Sequence, residues 1–219
     1  MASFDWQLLV DSIPVMATGA TATIEISLLA ILLGGCLGIV FGLILVGGPA
    51  PLRAAVRAYV AFVRGVPLLV MIFLVYFGLP GVGLTLSAFA SGAIALGLNS
   101  AAFMAEIVRA GLQSIDKGQT EAARSIGFSD AQTALYVLLP QSLKRIVPPT
   151  TNEFIQLVKS SSLLSVIGVY ELTRSGQTIV ARTFAAFEIY AGIAIFYLVI
   201  IGLLSIGSSY LERHVSGEA

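Results

Sequence analysis

Charge, cysteine and histidine are all scarce in this sequence of 219 residues. Charged residues make up 11% of it, against about 25% in soluble domains, while hydrophobic residues reach 57%. That pair excludes an ordinary soluble domain and predicts an integral membrane protein. The formal net charge is zero, so overall electrostatics give no argument for nucleic acid as a partner. The lone cysteine, Cys36, lies in an apolar run; it permits no internal disulfide and no Cys-based metal site, and reads as a small buried packing residue. The lone histidine, His214, lies beyond the last apolar run, and no constellation of His, Cys or paired acids is available for catalysis or metal binding. A GxxxxGK[ST] phosphate loop is also missing, so any ATP must be bound by another chain. The N-terminus, MASFDWQLLVDSIPVMATG, has no basic n-region and its first apolar run is too long for a signal-peptide core, so the start reads as mature.

What is present is a series of long apolar runs. A bilayer core about 30 Å thick needs roughly 20 apolar residues in a helix. Five segments are expected to span it, at about 22–46, 59–79, 86–108, 149–169 and 187–206, within one all-α membrane domain covering 1–219. The fourth is the most polar, with Glu153, Lys159 and the run Ser160, Ser161, Ser162. Lys and Arg in short loops mark the cytoplasmic side. Arg53 and Arg57, then Arg109, Lys117, Arg124, Lys144 and Arg145, then Arg213 fall on one side if there are five spans. The N-terminus and the uncharged loop GLPGVGLTLS fall on the other, which predicts the N-terminus outside and the C-terminus in the cytoplasm. No internal repeat is visible, which weakens a reading as an inverted-repeat transporter. Gly34, Gly38 and Gly42 recur every fourth residue in the first span, a spacing that lets two helix backbones approach closely.

Between Arg109 and Arg145 the sequence turns polar, small and charged. The pattern predicts helix, turn, helix: a helix-tolerant stretch to Ile126, Gly127 where a left-handed cap would end it, then Ser129 and Gln132 at capping-box spacing. The second helix can run through ALYVLL as far as Pro140. Ala122 and Ala123 beside Glu121 leave a short helix with a bare surface, suited to a groove on another protein. Spacing alone leaves an ordinary helical loop equally open.

The residues say more than the spacing. EAARSIGFSDAQTALYVLLP resembles the cytoplasmic EAA loop of the permease subunits of bacterial ABC importers. The similarity continues from LNSAAFMAEIVRAGLQSIDKGQT through LKRIVPPTTNEFIQLVKSSSLLSVIGVYEL, and RGVPLLV at 64–70 is similar to a motif of the second span in the polar amino acid branch, whose cargoes are histidine, arginine, lysine, glutamine and glutamate. Where that branch often has an acid and a threonine after the lysine of the fourth span, this chain has Ser160 and Ser161 after Lys159. The resemblance implies that Glu121, Ala122, Ala123 and Gly127 form a coupling helix on an ATP-binding subunit. It further implies two copies of that subunit, which hold ATP and Mg, a second permease subunit, identical or related, and an extracytoplasmic amino-acid-binding protein, all at the bacterial inner membrane. No cofactor is expected in this chain itself.

Charges within spans cost on the order of 2.5–3.5 kcal/mol each on insertion scales, so each needs a partner, a cavity or an interface. Glu25 lies near the outer end of the first span, and Arg64 can snorkel from the second, where Pro67 is expected to bend or begin the helix. Glu106 and Arg109, three apart, suit an ion pair. Asn152, Glu153, Gln156 and Lys159 recur at three- and four-residue spacing, so this stripe is expected to face the bundle interior. With Asn99 of the third span it either lines a cargo route or binds helices together. Glu153 would suit a cationic cargo and Lys159 an anionic one. The rival reading is a gradient-driven channel or carrier that works without ATPase subunits.

Overall fold

The computed structural model describes residues 4–216. Among them it is helical, with no strand. Helix α1 runs from Trp6 to Gly47, 16 residues earlier than the expected start of the first span. The reason is local: the Asp5 carboxylate accepts a hydrogen bond from the Leu8 amide at 2.9 Å, an N-cap that starts the helix before the continuously apolar stretch begins. At 42 residues it is about 63 Å long.

One face of α1 carries Gly34, Gly38 and Gly42 against α4 (Ala88–Gln113). A methyl at Gly34 would sit 2.7 Å from the Ser100 Cβ, at Gly38 2.3 Å from the Met104 Cβ, and at Gly42 2.6 Å from the Val108 Cβ. The expected close approach is therefore real, and α4 is its partner. Lipid tails are as apolar as leucine, so this contact gains its stability from van der Waals packing rather than from leaving water. Cys36 is exposed rather than buried. Two residues on from Gly34 is about 200° around the helix, which turns Cys36 away from α4.

The second expected span is broken. Helix α2 (Ala50–Gly65) and helix α3 (Leu68–Gly78) meet at an angle of 109°, and a 3-10 turn, Leu79–Val82, follows. Pro67 causes the break: it has no amide hydrogen to continue the ladder, and it drives Val66 to an extended backbone with φ −106° and ψ 133°.

After α4 come α5 (Lys117–Ser125), α6 (Asp130–Thr133), a π-helical stretch Ala134–Leu138, and α7 (Leu139–Ser160). Pro140 does not stop the helix as the sequence suggested, since it sits in the first turn of α7, where its missing amide is tolerated. The α-geometry of the fourth expected span ends early, at Ser160, and a 3-10 helix continues from Ser161 to Ile167. Serine hydroxyls there bond back to the backbone, Ser161 to the Val158 carbonyl and Ser162 to that of Lys159, each at 2.8 Å, which competes with regular helix. Gly168, at φ +84°, closes the segment. Helices α8 (Leu172–Thr183) and α9 (Ala186–Ser216) complete the chain, α9 running ten residues past the expected end of the fifth span.

Among the described residues three helices, α1, α4 and α9, are long and apolar enough to cross a membrane, and the bent pair α2 and α3 makes a fourth if it counts as one span. The expected fourth span, on α7, is too polar to meet that test. The core has three parts. Ile26, Ile72, Leu96, Leu157 and Leu164 join α1, α3, α4, α7 and the 3-10 helix after it; Leu45, Val56, Val63, Met71 and Ala102 seat α2 on α1, α3 and α4; Met16, Leu172, Ile189 and Ile193 join α1, α8 and α9. Outward faces carry large apolar side chains such as Leu32, Leu198 and Ile206, as a lipid-facing surface requires.

Candidate functional site: the polar corner and the face between α4 and α7

The polar interruption folds into a tight corner. Asp116 caps α5 by accepting from the Gly118 amide at 2.7 Å. At the other end the Phe128 amide donates to the Ala123 carbonyl at 3.1 Å and the Gly127 amide to that of Arg124 at 3.0 Å, while Gly127 holds φ +90°. These are the two bonds of a Schellman cap, and the left-handed backbone is why glycine stands there. Ser129 then starts α6 with a complete capping box: Gln132 N donates to the Ser129 hydroxyl at 3.3 Å, and Ser129 N to the Gln132 side chain at 2.9 Å. Arg124 pairs with Asp130 across the turn at 2.8 Å, an exposed contact worth at most about 1 kcal/mol.

Two ties hold this corner to the bundle. Gln141 donates to Gln119 at 3.1 Å, and the Arg145 guanidinium donates to the Ser114 carbonyl. Glu121, Ala122 and Gly127 are exposed, whereas Ala123 is 4% exposed and is turned toward its own chain. Sequence reasoning missed Ile126, which is 73% exposed at the tip beside Gly127. The available signal was a large apolar residue placed at a helix end, where no core face exists to receive it. Leu135 and Tyr136 extend this exposed apolar surface.

The polar stripe of α7 does not face the interior of the chain as expected. Asn152, Gln156 and Lys159 lie on the outer surface, and only Glu153 is half-buried, turned toward α4 beside Ser100. The Ser100 hydroxyl is buried there and makes no hydrogen bond of good geometry. Asn99, one residue away, is half-buried. Nearer the corner a cleft of about 530 Å³ opens between α2, α4 and α7, lined by Arg64, Phe103, Glu106, Ile107, Arg145 and Pro149 among others. The Arg64 guanidinium sits 5.6 Å over the Phe103 ring, a cation–π contact. Glu106 and Arg109 form the expected ion pair at 2.6 Å, and Arg109 also donates to Gln113 at 2.7 Å. Glu25 is exposed on α1.

At the opposite end of the bundle Glu171 is fully buried. Its carboxylate caps α8, accepting from the amides of Thr173 at 2.9 Å and Arg174 at 2.7 Å, and from the Tyr197 hydroxyl of α9 at 3.2 Å. Alongside, the Leu172 amide donates to the Thr23 hydroxyl of α1 at 3.1 Å. Sequence reasoning missed Glu171.

Comparison with known proteins places this geometry. Residues 34–217 match the family described as binding-protein-dependent transport system inner membrane component. The chain is 40% identical over 208 residues to a probable glutamine ABC transporter permease protein of Bacillus subtilis, covering 95% of this chain and 96% of that one. It is 37% identical over 214 residues to the glutamine transport system permease protein of Escherichia coli, covering 97% and 98%. A crystal structure of an amino acid ABC transporter with histidines superposes with a TM-score of 0.91 at 38% identity, over 97% of this chain and 100% of that one. The chain with the capped polar corner and the small-residue seam between α1 and α4 thus belongs to the binding-protein-dependent transport system inner membrane components, among the amino acid ABC transporter permeases.

Proposed function

We propose that this chain is the translocating subunit of an ATP-driven importer for a polar amino acid, with five spans, the N-terminus outside and the C-terminus in the cytoplasm. The corner from Asp116 to Gln132 carries the reading: a doubly capped, rigid turn that exposes Glu121, Ala122, Ile126 and Gly127 while tied to α4 and α7. Such a corner fits a cleft on an ATPase subunit, and two permeases with two ATPases give a symmetric engine. ATP and Mg belong to those partners, and cargo arrives from an extracytoplasmic binding protein. The ATPase states then bias the permease between outward- and inward-facing forms by binding one of them more tightly.

The outer placement of Asn152, Gln156 and Lys159 supports a second permease copy. Three polar side chains on a surface at membrane depth are costly against lipid and inexpensive against a shared, watered route. Glu153 and Asn99 line the same route. Relatives named for glutamine and an amino acid ABC transporter solved with histidines support a polar amino acid as the cargo.

The test is purification through a C-terminal tag in mild detergent, with ATP hydrolysis measured in the eluate. Wild-type chain is expected to bring ATPase activity with it, and Glu121→Lys to lose it. A stable chain without ATPase in either sample points to the gradient-driven channel or carrier. In reconstituted importer, Glu153→Ala and Asn99→Ala are each expected to lower kcat/KM for uptake by about tenfold or more, the scale of one lost hydrogen bond to a charged group. Unchanged rate and selectivity in correctly assembled variants removes both residues from the route.

A further inference from the structure

Between Glu25 and Glu106 the sequence contains no aspartate or glutamate, and the only basic residues in that interval are Arg53, Arg57 and Arg64, all on α2. Their spacings of four and seven put them on one stripe, within about 40° of arc and along about 16 Å of helix. Arg64 is engaged over Phe103 at the cleft. Arg53 is half-buried, Arg57 is exposed, and neither has a carboxylate partner among the described residues. The buried face of α2, Val56, Val60 and Val63, packs on α1 and α4, while Leu52 and Phe62 remain exposed on the same helix. The 109° break frees α2 from the direction of α3.

We infer that the N-terminal half of α2, ahead of the expected second span, lies at the membrane interface, where Arg53 and Arg57 hold the headgroup of an anionic phospholipid. Guanidinium groups take phosphate oxygens bidentately, and a helix with a basic stripe and exposed apolar side chains suits the boundary between headgroups and acyl chains. An acidic protein surface would satisfy the arginines but leave Leu52 and Phe62 against water. The lipid satisfies both. This inference rests on the membrane placement proposed above, but not on cargo or ATPase coupling.

Native mass spectrometry of the purified chain, offered equal phosphatidylglycerol and phosphatidylcholine, tests it without cargo or ATP. Wild type is expected to retain phosphatidylglycerol preferentially. Arg53→Gln/Arg57→Gln should lose that preference by roughly ten- to thirtyfold, the effect of removing two interfacial charges. Arg53→Lys/Arg57→Lys should keep most of it, and Arg182→Gln on α8 all of it. Equal retention of the two lipids by wild type, or full preference in the glutamine variant, overturns the proposal. So does a glutamine variant that keeps the lipid but sheds ATPase subunits, which makes the stripe a protein contact, and so does binding of inorganic phosphate that displaces no lipid. Should the glutamine variant fail to fold, the wild-type preference must fall as salt rises; a salt-independent preference overturns the proposal equally.

Discussion

Gly38→Val is expected to abolish recovery of folded protein, or to lower its thermal midpoint in detergent more than any other single change in α1. The new Cβ alone would lie 2.3 Å from the Met104 Cβ and 3.1 Å from the Ala101 carbonyl oxygen. Neither neighbour is the free end of a flexible side chain, so relief requires α1 and α4 to part. Overpacking in a tight core typically costs about 1–3 kcal/mol, and a backbone-to-backbone seam lies at or above the upper end. Parting the helices at Gly38 also loosens the contacts of Gly34 and Gly42, so the loss spreads along the seam. Gly35→Ala is the control: nothing lies within 4 Å of its added methyl, and a helical Gly→Ala change is worth up to about 1 kcal/mol in the stabilising direction. If Gly38→Val unfolds at the wild-type temperature, the seam is looser than the structure has it.

Glu171→Ala is expected to cost about 2–4 kcal/mol. Losing an N-cap costs about 1 kcal/mol, and here the carboxylate, itself fully buried, also serves the Tyr197 hydroxyl, which adds about 1–3 kcal/mol if left unmet. Glu171→Gln retains one acceptor oxygen, and its cost should be less than half that of alanine. The ordering alanine below glutamine below wild type, read from unfolding midpoints, is the check. Equal midpoints for the two variants would mean that the negative charge, rather than acceptor geometry, secures α8.

The helices and the corner were legible in the sequence because their determinants are local. A glycine at φ +90°, a serine three residues before a glutamine, and glycines every fourth residue each act within one turn, and each does what its spacing says. The break before Pro67 was legible for the same reason. Helix ends were not, because apolar content marks where lipid begins and caps mark where helix begins; in α1 those two points lie 16 residues apart, the distance from Trp6 to Ala22. The polar stripe was misplaced because periodicity says which residues share a face but not what that face meets. Glu153 and Gln156 lie about 60° apart around the axis, and because their shared face runs along the edge of the α4 contact, one sits beside Ser100 and the other outside. Glu171 was missed because its three donors come from two different helices, and no one-dimensional pattern carries that meeting.

The helical path does not stop between the corner and the polar stripe. From Asp130 through the π stretch to Ser160 it runs for 31 residues, from the first residue of α6 to the last of α7. In mechanical terms α5 is a crank and this rod its shaft, pinned near the crank by the tie between Gln119 and Gln141. A force applied at Ile126 would reach this rod through α5 and that tie, and any turn of the rod about its axis would carry Asn152, Glu153, Gln156 and Lys159 with it. The π turn at Ala134–Leu138 and the prolines Pro148 and Pro149 lie between crank and stripe, the places where the shaft departs from a regular hydrogen-bond ladder.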